Sequence, residues 1–421
     1  MSKPALVFLC QRLPYPPITG DRITAFNLIR HLTRDYRVFV GTFSDDAREV
    51  ADIATLGSMV EGLCVADRRR RWSFVRAIPH WLAGDPISFA VFRSRKLSAW
   101  LDEIEALHTP AIVVTHSSNV SGYAVDKFRR VGAPEPIRLL HFADVDSEKF
   151  LEYADRAWGV MKWVLMSEAR RVRREERRLT EASDLVAFVS DEEADLFRSI
   201  LDAHRDRVVT LPNGVDIGTF DPSIAFEAPF ERRGPAFVFT GAMDYLPNVE
   251  AVIWFAREVF PGIRRQLPSA QFLIVGTRPA AKVQQLANDP SVIVTGRVAS
   301  VAAYLAHSQV AVAPLRIARG IQNKVLEAMS MAMPVVVSPG ALTGIAATSG
   351  VHLVRADTPA EWIEACVTLV NEPERAHRIG RAGRALVMEA YTWEAQFLRL
   401  DHLLGSARET RGETPWTGRR R

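Results

Sequence analysis

Lys324 and Glu327 stand three residues apart in Val310–Ser338, VAVAPLRIARGIQNKVLEAMSMAMPVVVS. The stretch predicts a buried strand, a basic glycine-containing turn, an amphipathic helix and a second buried strand. A turn that leaves the carboxyl end of a strand and opens a helix offers free backbone N–H groups and the positive end of the helix dipole. Both favour an anion. The spacing puts Lys324 and Glu327 on one helix face, while Ile321, Val325, Ala328 and Ala332 fall on the other and seat the helix on a sheet. A cation beside a carboxylate at such a mouth suits a nucleotide diphosphate, with Lys324 toward the phosphates and Glu327 accepting from the ribose hydroxyls. An ordinary crossover with a solvated Lys/Glu pair would leave the same pattern.

Other residues could join such chemistry. Gly20-Asp21-Arg22 follows a proline-rich loop and leads into a predicted helix, Asp21–Thr33. Glycine there lets backbone approach a ligand closely, and the helix start can face phosphate. A proline-stiffened connection explains the same residues. His141 closes a predicted strand, Ile137–His141, and is followed by Phe142-Ala143-Asp144-Val145-Asp146; His116 follows another, Ala111–Thr115. A histidine at a strand end is either a site residue or a packed, hydrogen-bonded one. Asp191 could cap the helix after it.

These candidates need elements to hold them. A chain of 421 residues is too long for one core. Short apolar runs alternate with helical periods throughout, which predicts doubly wound α/β architecture. Strands are expected at Ala5–Leu9, Arg37–Phe43, Ala111–Thr115, Ile137–His141, Leu185–Val189 and Val208–Leu211, with one long helix within Ser147–Ala182. After the turn Pro212–Asp216 the rhythm restarts, with strands at Ala236–Thr240, Gln271–Val275, Val292–Thr295, Val310–Ala313, Pro334–Ser338 and Val351–Val354. The expected organisation is 1–211 and 212–385 as two Rossmann-like domains facing across a cleft, 386–407 as a C-terminal helical segment returning to the first, and 408–421 as a disordered basic tail.

Composition limits the alternatives. With 48% hydrophobic and 24% charged residues, and a net charge of +4, the chain is ordinary for a globular protein and too weakly basic to imply nucleic acid. Cys10, Cys64 and Cys366 are scattered without disulfide or zinc spacing, which fits a reducing compartment. No apolar run reaches the ~18–20 residues needed to span a bilayer. A cytoplasmic protein is expected, free or peripheral to the inner face of the membrane.

Four segments together carry a resemblance: PYPPITGDR (Pro14–Arg22), PNGVD (Pro212–Asp216), GAMDYLPN (Gly241–Asn248) and RGIQNKVLEAM (Arg319–Met329). With ADVDSEKF at Ala143–Phe150, they resemble the large retaining GT-B glycosyltransferase family, nearest to bacterial sugar transferases found with exosortase-linked exopolysaccharide gene sets. The resemblance covers the chain to about Leu404. It implies transfer from a nucleotide-diphosphate sugar held by the second domain to a saccharide or lipid-linked saccharide acceptor held by the first, without a metal cofactor. It places Gly241, Asp244 and Gly320 with the donor, Gly20, Asp21 and Arg22 in an acceptor or phosphate loop, and His141 and Asp144 beside the reacting groups.

The chain departs from the family pattern in two places. Of two glutamates seven residues apart, the second matches Glu327 but the first falls on Arg319. A basic pair expected after the strand Ala236–Thr240 reads Ala242 and Pro247-Asn248. Arg316, Arg319 and Lys324 are expected to supply that charge, with Lys324 acting on the departing diphosphate. Competing readings make Asp144-Val145-Asp146 a metal-binding pair of the other glycosyltransferase architecture, or make the chain a GT-B-type epimerase or a non-catalytic nucleotide-sugar-binding protein. Finally, Asp67–Gly84 mixes Arg68–Arg71 with Trp72, Phe74, Trp81 and Leu82, and Arg170–Arg178 carries six arginines. Both could rest on an anionic membrane surface, or form a solvated face.

Overall fold

The computed structural model describes residues 3–45, 49–68, 77, 79–129, 132, 134–316 and 320–412. Arg319, Arg69–Arg71, Trp72 and Phe74 therefore lie outside the described residues, as does the tail from 413. The chain divides into two compact units, 1–211 with 397–421, and 212–396.

The first unit is a parallel sheet of seven strands: β1 (Ala5–Cys10), β2 (Arg37–Ser44), β3 (Gly62–Asp67), β4 (Ile112–His116), β5 (Ile137–Ala143), β6 (Leu185–Phe188) and β7 (Val208–Thr210), in the order β3-β2-β1-β4-β5-β6-β7. Strand β1 reads as a continuous apolar run because both its faces are covered. Ala5, Val7 and Leu9 enter one core with Leu97, Leu101, Val172 and Phe197, while Leu6, Phe8 and Cys10 enter the other with Leu28, Ile29 and Leu32. The last three belong to helix α1 (Gly20–Leu32). Leu400, Leu404 and Ala407, from the C-terminal helix Trp393–Thr410, complete that second core.

The second unit repeats the design with six parallel strands: β8 (Ala236–Thr240), β9 (Gln271–Val275), β10 (Val292–Gly296), β11 (Val310–Ala313), β12 (Val335–Val337) and β13 (Val354–Arg355). Their order is β10-β9-β8-β11-β12-β13. Each sheet has one place where successive crossovers run in opposite directions, between β1 and β4 and between β8 and β11. The loops leaving those strands diverge and open a crevice at the carboxyl edge.

Several expectations need correction. The long helix expected within Ser147–Ala182 is Gly159–Glu181, and an unanticipated second helix, Asp146–Arg156, precedes it, the two broken at Ala157-Trp158 with Gly159 at φ 60°. Strand β3 was not anticipated; it is a short six-residue segment recruited by pairing with β2. Gly20 is the first residue of α1 rather than part of a loop. Ala332 lies beyond its helix, which spans Asn323–Ser330, and adopts φ 54°. Ser190 caps the Asp191–Ile200 helix, accepting from the Glu193 N–H, so Asp191 is its first residue and not its cap. The last helix continues through Arg408 to Thr410, and Arg411 then donates to both oxygens of Asp184 at 2.7 Å, so the expected disordered tail does not begin at Arg408.

Candidate functional site

In the second unit the candidates gather at the β8/β11 crevice. Gly241 leaves β8 with its N–H donating to the Val275 carbonyl at 3.0 Å, and Met243 N–H donates to Thr277 O at 2.8 Å. The exits of β8 and β9 are thereby tied together. They pass so closely that a Cβ on Gly276 would sit 1.6 Å from the Gly241 carbonyl oxygen. Glycine at 276 is a requirement of that approach.

Asn248, 4% exposed, lies in the helix Leu246–Trp254. Its amide N–H donates to Ala242 O at 2.9 Å, which leaves Oδ1 to accept from Lys324 Nζ at 2.7 Å. The same ammonium lies 4.9 Å from the centre of the Phe239 ring. An amide oxygen and an aromatic face thus fix a cation at the end of β8 without neutralising it. Burial pushes the Lys324 ammonium down to about 8, opposed by Glu327, and burial pushes the Glu327 carboxyl up to about 7, opposed by Lys324. Both members of the pair are easier to neutralise than in water, so an incoming anion or hydroxyl that restores their polar surroundings is favoured.

The helix carrying them, Asn323–Ser330, begins at Gln322 with no side-chain cap. Its leading N–H groups are available to a ligand. Gly320 precedes it in the left-handed region, φ 60°, and its carbonyl accepts from Gln322 Nε2 at 3.2 Å. Arg316 is exposed in the same loop. Asp244 is turned to another use: its carboxylate accepts from Arg278 Nε at 2.5 Å, and this guanidinium holds it below the usual carboxylate range. Asp244 and Arg278 form a surface pair, 44% and 61% exposed, at the exits of β8 and β9.

In the first unit the β1/β4 crevice collects Gln11, Ser117 and Asn119, whose side chains meet at Gln11 Oε1. Register places Cys10 beside His116 and His116 beside His141 across β1, β4 and β5. His141 is fully buried, one strand away from the crevice. Its Nε2 donates to the Leu211 carbonyl at 3.3 Å, and its Nδ1 lies 3.1 Å from His116 Nδ1. A carbonyl only accepts, so neutral His141 carries its proton on Nε2 and presents a bare Nδ1, to which His116 Nδ1 donates. Burial, reinforced by His116, lowers His141 to about 3. The His116 value is lowered by burial too, against Asp21, whose carboxylate and backbone favour the charged ring.

His141 is thus a packed histidine behind His116, and His116 is the ring that adjoins the start of α1. At that start Thr19 Oγ1 donates to Asp21 at 2.6 Å, Arg12 lies 3.4 Å from Asp21, and Arg22 pairs with Glu49 at 3.0 Å. Asp144 is half-buried after β5. The adjacent Asp146 accepts from Ser118 and lies 3.8 Å from Lys149. No group of three or more His, Cys, Asp or Glu among the described residues is placed to hold a metal ion.

Two parallel Rossmann-like sheets of seven and six strands, each with its candidate residues at a switch of strand order, define the GT-B fold. Residues 19–219 match the family described as Glycosyltransferase Family 4, and residues 234–372 match Glycosyl transferases group 1. The chain belongs to these families and is a glycosyltransferase enzyme.

Among curated proteins it is similar to a GDP-mannose-dependent monoacylated alpha-(1-6)-phosphatidylinositol monomannoside mannosyltransferase of Corynebacterium glutamicum, 26% identical over 247 residues. That match spans 55% of this chain and 64% of the relative, just under two thirds of its length. Among solved structures, sucrose-phosphate synthase from Thermosynechococcus elongatus superposes with a TM-score of 0.71 at 16% identity, covering 96% of this chain and 100% of that one. Anabaena HepE in complex with UDP-glucose gives 0.64 at 13% identity, covering 95% and 99%.

Asn248, Phe239, Arg278 and Gly276 were not singled out from sequence. For Asn248 a signal existed: it occupies the place in GAMDYLPN where a cation was expected. It sets a lysine from another segment beside β8 instead.

Proposed function

We propose that the chain moves a sugar from a nucleotide-diphosphate donor, bound at the β8/β11 crevice, to an acceptor hydroxyl served by the first unit. The observation that carries this reading is the Lys324 ammonium held at 2.7 Å by Asn248 beside an uncapped helix start. As the donor's glycosidic bond breaks, negative charge grows on the departing diphosphate. A fixed cation and free N–H groups stabilise that charge more than the ground state. Glu327, one helical turn on, accepts from the ribose hydroxyls, and Gly320 lets the backbone approach the phosphates. Arg316 adds charge from the neighbouring loop.

On the first unit, Gly20, Asp21, Arg22 and Asp144 flank the acceptor, with His116 the imidazole beside Asp21 and His141 setting its tautomer. Retention of configuration follows the family resemblance, by front-face displacement in which a leaving phosphate oxygen assists loss of the acceptor proton. The protein then supplies orientation and charge stabilisation. The reaction is proposed to need no metal. The product belongs to exopolysaccharide or related glycoconjugate synthesis, with a lipid-linked acceptor at the inner face of the cytoplasmic membrane.

The relative's name specifies GDP-mannose, and the HepE complex contains UDP-glucose. A donor panel must therefore span both bases. Thermal-shift measurements against UDP-, GDP-, ADP- and dTDP-sugars should give one selective rise in Tm, followed by transfer from that donor to a saccharide acceptor. Absence of stabilisation by every nucleotide sugar would remove the donor site. Stabilisation with release of an epimerised donor and no transfer would favour the epimerase instead.

A further inference from the structure

The helices Asp146–Arg156 and Gly159–Glu181 form a hairpin whose turn, Ala157-Trp158, points its apolar side chains into solvent. Trp158 is 91% exposed, Val160 79%, Trp163 61%, Met161 59% and Tyr153 48%. Single exposed apolar residues are commonplace; five within positions 153–163 form a patch. The hairpin's base is firmly held. Val172 and Leu179 enter the core, Glu168 accepts from the Ile87 and Ser88 N–H groups at 3.0 and 2.8 Å, and Arg171 donates to Asp85 O at 3.2 Å.

Polar groups at the tip say what covers it. The helix Gly159–Glu181 starts at Trp158 with no side-chain cap and no acidic residue in its first turn. Its leading N–H groups and positive dipole end are thus set among the apolar side chains. Arg156 and Lys162 add two exposed cations, and Asp155, 4.0 Å from Lys162, is the nearby counter-charge. Apolar side chains around an anion-seeking centre match a lipid interface, where the acyl boundary takes indole and aliphatic groups and headgroup phosphates meet N–H groups and cations. We propose that this hairpin tip inserts shallowly into an anionic lipid surface and is the membrane anchor of the chain.

The anchor differs from the one expected from sequence. Within Arg170–Arg178, Arg171 is bonded to backbone carbonyls, and Arg173, Arg177 and Arg178 are in ion pairs with Glu148, Asp202, Asp126 and Glu175. Only Arg170 and Arg174 of that run are exposed, farther along the same helix. Positions 69–76 and 78 of the other segment lie outside the described residues. The inference rests on the proposed membrane location only for the presence of a lipid surface, and its test uses neither donor nor acceptor.

Sedimentation with phosphatidylglycerol/phosphatidylcholine vesicles should carry down the full chain, while pure phosphatidylcholine vesicles carry far less. The double variant Trp158→Ser/Trp163→Ser should partition at least ten-fold more weakly, and Lys162→Glu several-fold more weakly. Unfolding temperatures should be unchanged, because these side chains are exposed. Val160→Cys labelled with a solvatochromic dye should shift to the blue on adding anionic vesicles; the native Cys10, Cys64 and Cys366 are buried. A wild-type chain that stays in the supernatant, an unshifted dye, or a double variant that binds as well as wild type would overturn the proposal. So would a wild-type dimer that the double variant converts to monomer without any vesicle binding. Donor-induced thermal shifts unaltered in the double variant would separate this result from sugar transfer.

Discussion

Lys324 and Asn248 come from segments 76 residues apart and meet in a 2.7 Å hydrogen bond at the carboxyl end of β8. The asparagine is itself fixed by its bond to Ala242 O. Lys324→Ala removes the charge that faces the departing diphosphate, and turnover should fall at least ten-fold. Asn248→Ala leaves the charge but frees its position, so a smaller loss in kcat is expected. Steady-state kinetics of both variants test this; near-normal turnover of Lys324→Ala would exclude it from the mechanism.

Burial lowers Lys324 to about 8 and raises Glu327 to about 7. The free enzyme therefore loses the lysine charge as pH rises through about 8, and loses the glutamate charge as pH falls through about 7. kcat/KM should decline on the alkaline side near 8, since the phosphate-binding cation disappears there. Lys324→Arg, which stays charged, should remove that alkaline decline even where its absolute rate is lower.

The His116–His141 pair should show itself in acid. His141 has a folded value of about 3 against 6.5 in the unfolded chain, so its contribution is fully present above 6.5 and is lost as pH falls toward 3. His116 shifts in the same direction. Denaturant unfolding across pH 4 to 7 should show stability falling with acid at up to ~1.4 kcal/mol per pH unit for each such group. His141→Asn should flatten this slope; an unchanged slope would locate the acid sensitivity elsewhere.

Glu176 has the opposite sign. It is fully buried, its Oε1 accepts from the Ser147 N–H at 3.2 Å, and its Oε2 and the nearby Ser147 hydroxyl have no partner. Burial raises its carboxyl to about 8, so its contribution is complete below the unfolded value of 4.5 and is lost as pH rises through 8. Glu176→Gln should make Tm less sensitive to pH between 6 and 9, with the variant more stable than wild type at the alkaline end.

Gly276→Ala tests the contact between strand exits. The added methyl cannot coexist with the Gly241 carbonyl at 1.6 Å, so one exit must move. A destabilisation of roughly 2 kcal/mol or more is expected, with donor-induced stabilisation weakened as well. Normal stability and donor response would show that the crevice tolerates the displacement.

How far the sequence reached depended on how local the determinant was. Ala236–Thr240, Gln271–Val275 and Val310–Ala313 form strands at their expected bounds, because each is an apolar run covered on both faces. Strand β3 escaped notice because pairing with β2, a long-range event, makes it a strand. The Lys324/Glu327 face was legible from helical spacing. The Asn248 contact to Lys324 was not, since nothing local links position 248 to 324. His141 looked like a strand-end residue, yet β5 runs on to Ala143 and the register with β4 turns the ring onto His116. Trp158 and its neighbours drew no expectation because the helix Asp146–Arg156 and the break before Gly159, which expose them, have no strong local signal.

The helix Trp393–Thr410 supplies Leu400, Leu404 and Ala407 to a core otherwise built from residues before 212. During synthesis these side chains leave the ribosome only after the whole of the intervening unit. The amino-terminal half must therefore wait, incompletely closed, until that helix has emerged, and a nascent chain stalled before position 393 should remain open to protease and chaperone.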